Sequence, residues 1–317
     1  MTNTSQTVKD TVLAVLELES EPDNLIDRVT WIAQSFNYRV HLVLFEPESG
    51  ALLGGFAISN EAEVIRQELQ STQDEIVESY AKKLRDKGID TTTSVLRLRP
   101  LDDGILAIAM AVKARMIVKA TRFHSTAERG ILVDTDWQLM RISPYPLWFV
   151  RSELMPENPI IVAAVDPSST HDKPAALDRE IVQTANTVAK AISGEVHLLH
   201  TYERLSGIGK AANRTFKPIK LQIDEIDARI QKEHRSALDL LAADCGIDAD
   251  HTHQLPGRTH EILPTFSRSK NAGLVVMGAL ARWGVKRMLI GSTAERVIDH
   301  LPCDVLIVRL SEYQLWE

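Results

Sequence analysis

AGLVVMG, residues 272–278, has a counterpart in this chain: shifted back by 158 positions it falls on ARMIVKA, residues 114–120. The same shift lays PCDVLIVR (302–309) on PYPLWFVR (144–151) without a gap. Nearer the start of each copy, Glu195-Val196-His197-Leu198 matches Arg39-Val40-His41-Leu42. Repetition over this length means a duplicated domain. The joint falls at ELMPENP (153–159), so the expected domains are residues 1–152 and 153–317.

Each copy alternates short apolar, β-branched runs with helical stretches. The first has TVLAVLEL (11–18), VHLVLF (40–45), TTTSVLR (91–97), MIVKAT (116–121) and PLWFVR (146–151). Helices are expected between them, near 23–36, 60–87, 102–113 and 134–142. The second has IIVAAVD (160–166), VHLLHTY (196–202), DHTHQLP (250–256), GLVVMGA (273–279) and CDVLIVR (303–309). Its helices are expected at 175–192, 219–244, 259–270 and 293–300. Such runs separated by helices indicate a parallel sheet covered on both faces. The expected fold class is α/β, with two tandem doubly wound domains of five parallel strands. Right-handed crossovers leave a crevice at the carboxyl ends of the strands, where the order reverses. Asp166 and Gly278, ending the first and fourth strands of the second copy, should meet there.

The chain has 317 residues, 44% apolar and 25% charged, the profile of a soluble globular protein. A net charge of -7 and a pI near 5.8 argue against a nucleic-acid partner. Cys245 and Cys303 are too few for a disulfide framework and lack the spacing of a metal knuckle. Cys303, just before an apolar strand, reads as a core thiol. The N-terminus is polar, with no apolar segment of signal length behind it, and no run approaches the ~18 apolar residues of a membrane span. The expectation is a cytoplasmic protein with no membrane partner.

The loop after Gly278 carries the chemistry. A helix opening near Thr293 offers unpaired N–H groups and a positive dipole end. Gly291 permits close approach of an anion, Ser292 and Thr293 add hydroxyls, and Arg282, Lys286 and Arg287 add positive charge. Gly278, Ala279 and Ala281 leave space for a sugar or phosphate. Equally, Ser292 or Thr293 serves as a helix cap and Gly291 as a turn residue. A P-loop and a glycine-rich turn after the first strand are both absent from the sequence.

On these residues the chain resembles the universal stress protein family in its tandem-domain form, over nearly its whole length. Nucleotide-binding members carry Gly, two residues, Gly, nine residues, then Gly-Ser or Gly-Thr. Here Gly278, Ala279-Leu280, Ala281, residues 282–290 and Gly291-Ser292 follow that spacing, with Ala281 in place of the second glycine. Alanine adds a methyl group and does not freely take positive φ. The resemblance implies a fold related to the adenine nucleotide alpha hydrolase-like folds. It implies ATP or a related adenine nucleotide in the C-terminal domain, with or without magnesium. Asp166 would contact adenine, Thr201 and Met277 would lie near the base, Gly278 near the ribose, and Gly291, Ser292 and Thr293 at the phosphates. It further implies a stress-response sensor or regulator whose two copies pair through their last strands as an intrachain pseudo-dimer. The alternative that Ala281 leaves open is a nucleotide-free scaffold holding a small apolar ligand or a protein partner.

In the first copy Gly278 becomes Ala120, Ala281 becomes Phe123, Gly291 becomes Val133, Ser292 becomes Asp134, and Glu17 replaces Asp166. No nucleotide is expected there, and Trp137 and Trp148 read as packing residues. His251 and His253, two apart on a strand, point to one face. With Asp250 or His260 they are candidate zinc ligands, although zinc wants three or four ligands and paired strand histidines also occur without metal. His124, His171, His234 and His300 read as solvent-facing. No catalytic constellation emerges; Asp23, Asp27, Asp102 and Asp103 have helix-surface settings. A non-enzymatic protein, or at most a slow ATP hydrolase, is expected. Residues 205–230 read as a lid or partner-binding stretch.

Overall fold

In the first copy β1 (Thr11–Glu17) is buried from Thr11 through Leu16, so neither of its faces meets water. It lies in parallel between β2 (Arg39–Phe45) and β4 (Ala114–Ala120). β3 (Thr91–Leu96) pairs with β2, and β5 (Leu147–Val150) with β4, giving the order β3-β2-β1-β4-β5. The helices of this unit are α1 (Pro22–Phe36), α2 (Asn60–Asp86), α3 (Leu101–Ala111) and α4 (Thr135–Ile142).

The computed structural model describes residues 9–18, 22–45, 60–96, 101–121, 135–151, 155–168, 175–204, 223–278, 297–298 and 300–309. The chain divides into two compact units, Met1–Leu154 and Met155–Glu317. The second unit contains β6 (Ile160–Ala164), β7 (Glu195–Tyr202), β8 (Thr252–Pro256), β9 (Ala272–Gly278) and β10 (Asp304–Val308). Its strand order, β8-β7-β6-β9-β10, is that of the first unit. The helices α5 (Ala175–Ile192), α6 (Ile223–Cys245) and α7 (Thr259–Ser269) complete what is described of it. Two doubly wound parallel sheets are therefore present, as the repeat predicts.

The copies also share their helix stops. Asn37, Gly88 and Lys113 follow α1, α2 and α3 with φ of 53°, 80° and 52°. Ser193, Gly246 and Asn271 follow α5, α6 and α7 with φ of 54°, 69° and 50°. Each left-handed residue turns the chain out of its helix toward the next strand. Behind Gly88 and Gly246, the N–H groups of Ile89 and Ile247 donate to Leu84 and Ala242 carbonyls at 3.1 and 2.9 Å, closing the helix ends.

Two strand boundaries differ from the sequence reading. β6 stops at Ala164, two residues before Asp166, whose N–H leaves the ladder and donates to Asp178 Oδ1 at 3.0 Å. In DHTHQLP, Asp250 and His251 lie in a 3-10 turn, and the strand begins at Thr252. Of the expected helix at 293–300, Val297 and Ile298 are described and helical.

Trp148 is fully buried and meets Trp31 edge-on at 6.1 Å, the packing role expected of it; Trp137 is half-buried. Cys303 is buried in the core of the second unit. Trp148→Ala should destabilise the protein by about 3–5 kcal/mol, the usual cost of emptying an aromatic core site. Urea unfolding followed by circular dichroism measures it; a loss under about 1 kcal/mol would remove Trp148 from the core argument.

Candidate functional site

In the second unit the order reverses beside β6, which pairs with β7 on one side and β9 on the other. Ala164 lies opposite Met277, so the residues leaving β6 start next to the end of β9. Asp166 is there with its side chain 51% exposed. Its Oδ1 accepts from Ser168 Oγ at 2.9 Å and faces His200 Nδ1 at 3.6 Å. Asp178, buried in the first turn of α5, holds the Asp166 N–H, which fixes where the carboxylate emerges.

His200 is fully buried on β7, with Nδ1 3.2 Å from Val165 O and Nε2 2.8 Å from His234 Nδ1. Burial holds its pKa below the ordinary value against the pull of Asp166, so at neutral pH the ring is uncharged. Nδ1 faces two acceptors and must carry the proton; Nε2 then accepts from His234. His234, expected in solvent, is instead half-buried on α6 as the partner of His200. The sequence hides this pair because its members are 34 residues apart, on different elements.

Thr201 shares a 2.6 Å hydroxyl contact with Thr259, joining the end of β7 to the start of α7. Met277 is buried, and Gly278 ends β9 against α5. A Cβ on Gly278 would lie 2.8 Å from Leu177 Cδ2 and 3.2 Å from Ile181 Cδ1. Glycine at this position thus has a packing reason: α5 occupies the place that a side chain would take. The structure brings Asp166, Thr201, Met277 and Gly278 to the carboxyl end of one sheet. Ala281, Gly291, Ser292 and Thr293, with Arg282, Lys286 and Arg287, lie outside the described residues, as do Phe123, Val133, Asp134, His124, His171 and residues 205–222.

The corresponding end of the first unit is filled by charge. Lys119, at the position of Met277 in the repeat, is buried, with Nζ 2.8 Å from Glu17 Oε2 and 2.7 Å from Asp136 Oδ1. Thr121 Oγ1 donates to the other Asp136 oxygen at 2.7 Å. Burial works against the charge on Lys119, but the two carboxylates outweigh it and raise the pKa above that of an ordinary amine. The lysine inside the apolar run MIVKAT was the available signal. Its meaning needed Asp136, 17 residues on, and Glu17, 102 residues back.

A second cluster stands at the other end of the second sheet. His197 and Glu195 open β7, His251 ends the 3-10 turn, and His253 lies in β8. Glu195 Oε1 is 2.5 Å from His197 Nε2 and 3.0 Å from His251 Nε2. His197 Nδ1 is 2.8 Å from His253 Nε2. The sequence pair His251 and His253 is therefore divided: His197 stacks on both, at 4.6 and 5.1 Å, and His253 lies on its far side from Glu195. Asp250 and His260 are not members of the ligand group Glu195, His197 and His251.

The universal stress protein family model matches residues 9–151 and again 158–309, and the chain belongs to that family. It is 27% identical to universal stress protein E of Salmonella typhi, over 96% of this chain and 95% of that one. Universal stress protein E of Escherichia coli (strain K12) is 26% identical over the same shares. Among solved structures, the putative universal stress protein of Pseudomonas aeruginosa UCBPP-PA14 superposes with a TM-score of 0.71 at 22% identity, over 96% of this chain and 95% of that chain. That likeness speaks for the fold. Among the described residues no helix is long and apolar enough to cross a membrane.

Lys119→Met, which copies the second unit, should cost about 3–5 kcal/mol in urea unfolding, since it leaves Asp136 buried without its cation; a neutral variant would mean water already screens the cluster. Acid should weaken the fold through the histidines. Burial first, then His197, Lys270, His251 and Arg235, push His253 down from 6.5 to about 4; burial also lowers His41 and His197. The unfolded chain takes protons near 6.5 that the folded chain resists, so stability falls as pH drops from 6.5 toward 4. Urea midpoints across this window should fall, and fall less in His253→Gln.

Proposed function

We propose that the second unit binds ATP or a related adenine nucleotide at the carboxyl end of its sheet, and that the chain acts as a sensor or regulator in the stress response. The observation that carries this reading is the contrast between the two equivalent crevices. In the second unit Asp166 is an exposed carboxylate held in place from behind, beside an uncharged strand end. In the first, the same end is closed by the Lys119, Glu17 and Asp136 ion pairs.

The residues present suit the nucleotide. Asp166 can accept from an exocyclic amine, Thr201 and Met277 border the base, and Gly278 stands beside the ribose. The retained spacing from Gly278 to Gly291-Ser292 supports a phosphate cradle at Gly291, Ser292 and Thr293, since glycine allows close backbone approach and a helix start favours an anion. The duplicated domains suit an intrachain pseudo-dimer with one nucleotide per chain. A cytoplasmic setting accords with this role.

Ala281 favours the second reading, a nucleotide-free scaffold for a small apolar ligand or a protein partner. Mass spectrometry of small molecules released from freshly purified protein, followed by titration with ATP and magnesium, separates the two. One nucleotide per chain is expected, lost in Gly291→Val and weakened in Asp166→Ala. No bound nucleotide and no titration overturns the proposal; recovery of binding in Ala281→Gly would then place the cause at that methyl group.

A further inference from the structure

We infer that Glu195, His197 and His251 form a binding site for a divalent transition-metal ion of the zinc class, at the amino end of the second sheet. Thr201 lies six residue steps along extended β7 from Glu195, which puts the site about 20 Å from the crevice and makes it independent of nucleotide. One ligand atom from each of the three residues lies within 4.8 Å of the others. Tetrahedral zinc with nitrogen and oxygen donors sets its ligands ~3.3 Å apart. Glu195 and His251 already stand at 3.0 Å, and Glu195 and His197 at 2.5 Å, so the latter pair must open by less than ~1 Å. Two imidazoles and a carboxylate are a donor set that zinc-like ions prefer, and a fourth position is left to water.

The first unit supplies the internal control. Its His41, matched to His197 in the repeat, places Nδ1 2.8 Å from Thr92 Oγ1 and Nε2 2.8 Å from Ser94 Oγ. Thr92 and Ser94, on the third strand, hold the places of His251, at the end of the 3-10 turn, and of His253, on β8; Arg39 stands in the place of Glu195. A buried strand histidine is thus satisfied by two hydroxyls in one copy. In the other copy the three matched positions carry Glu195, His251 and His253, all metal-ligand types. A need for hydrogen bonding alone does not require those three exchanges.

His253 has the position of an outer partner. Metal on His197 Nε2 requires the proton on Nδ1, and His253 Nε2, 2.8 Å away, accepts it. In the metal-free state Nε2–H points at Glu195 instead, so loading flips the tautomers of both neutral rings with no net proton released from the pair. Lys270, at the end of α7, is felt by Glu195, His197 and His253 and opposes the incoming cation. The carboxylate of Glu195 offsets it. His251 and Glu195 are partly exposed, which leaves an entry path from solvent, while His197 is buried at the inner side.

The test uses the full chain stripped of metal with chelator and kept free of nucleotide. Zinc is titrated by calorimetry and cobalt(II) by visible absorption, in the parent protein, Glu195→Gln, His251→Asn, His253→Phe and the control His260→Gln. One equivalent should bind the parent and the control. Glu195→Gln and His251→Asn should weaken binding about a hundredfold or more, and His253→Phe about ten- to a hundredfold. Zinc should raise the Tm of the parent but not of the first two variants, whose metal-free Tm stays that of the parent because both side chains are partly exposed. Absence of binding to the parent, or equal binding by the parent and both ligand variants, overturns the inference. Either result leaves the nucleotide proposal standing.

Discussion

A parallel sheet buried on both faces leaves polar chemistry only its two ends. In this protein nearly every position of β1, β6 and β9 is apolar and shielded, because helices cover both faces and a strand lies on either side. The polar clusters of the two sheets are accordingly pushed to the carboxyl ends or the amino ends. The carboxyl ends hold Asp166 and Thr201 in one unit and the Lys119 cluster in the other. The amino ends hold the imidazole cluster and its hydroxyl-bound counterpart around His41.

The two copies show how one backbone carries different chemistry. Helix stops, strand order and register are retained, down to left-handed residues at matching positions. The chemistry diverges through side chains: methionine against lysine at the end of the fourth strand, imidazole against hydroxyl at the third. Gly278 is the instructive exception. It lies in a site motif, yet the contact with Leu177 gives it a structural duty that its place in the motif does not reveal.

The fold was legible because the repeat is long and period-specific, and because strands buried on both faces announce themselves as continuous apolar runs. Boundaries were less so. β6 ends early because a distant carboxylate, Asp178, captures the Asp166 N–H, and no local propensity encodes that. The site was half legible. Asp166 and Gly278 follow from the strand ends at the reversal of order, and Thr201 and Met277 from the family resemblance, whereas the pairing of His200 with His234, and of Lys119 with Asp136 and Glu17, depends on which elements pack together. Strand alternation was the wrong basis for pairing His251 with His253, since His251 ends a 3-10 turn and only His253 lies in the strand. It could not supply Glu195 and His197, which come from the neighbouring strand.

The buried lysine of the first unit has a consequence for how the halves can change. Replacing Lys119 alone removes the ammonium that faces Asp136 and Glu17, and replacing either acid alone leaves the cation underbalanced; each such step loses stability. Conversion of this end to an open, uncharged crevice therefore requires coordinated substitutions at positions far apart in the chain. The ion cluster acts as a ratchet: once the halves have diverged across it, single substitutions do not lead back, and the difference between the two strand ends is preserved by energetics without any selection on function.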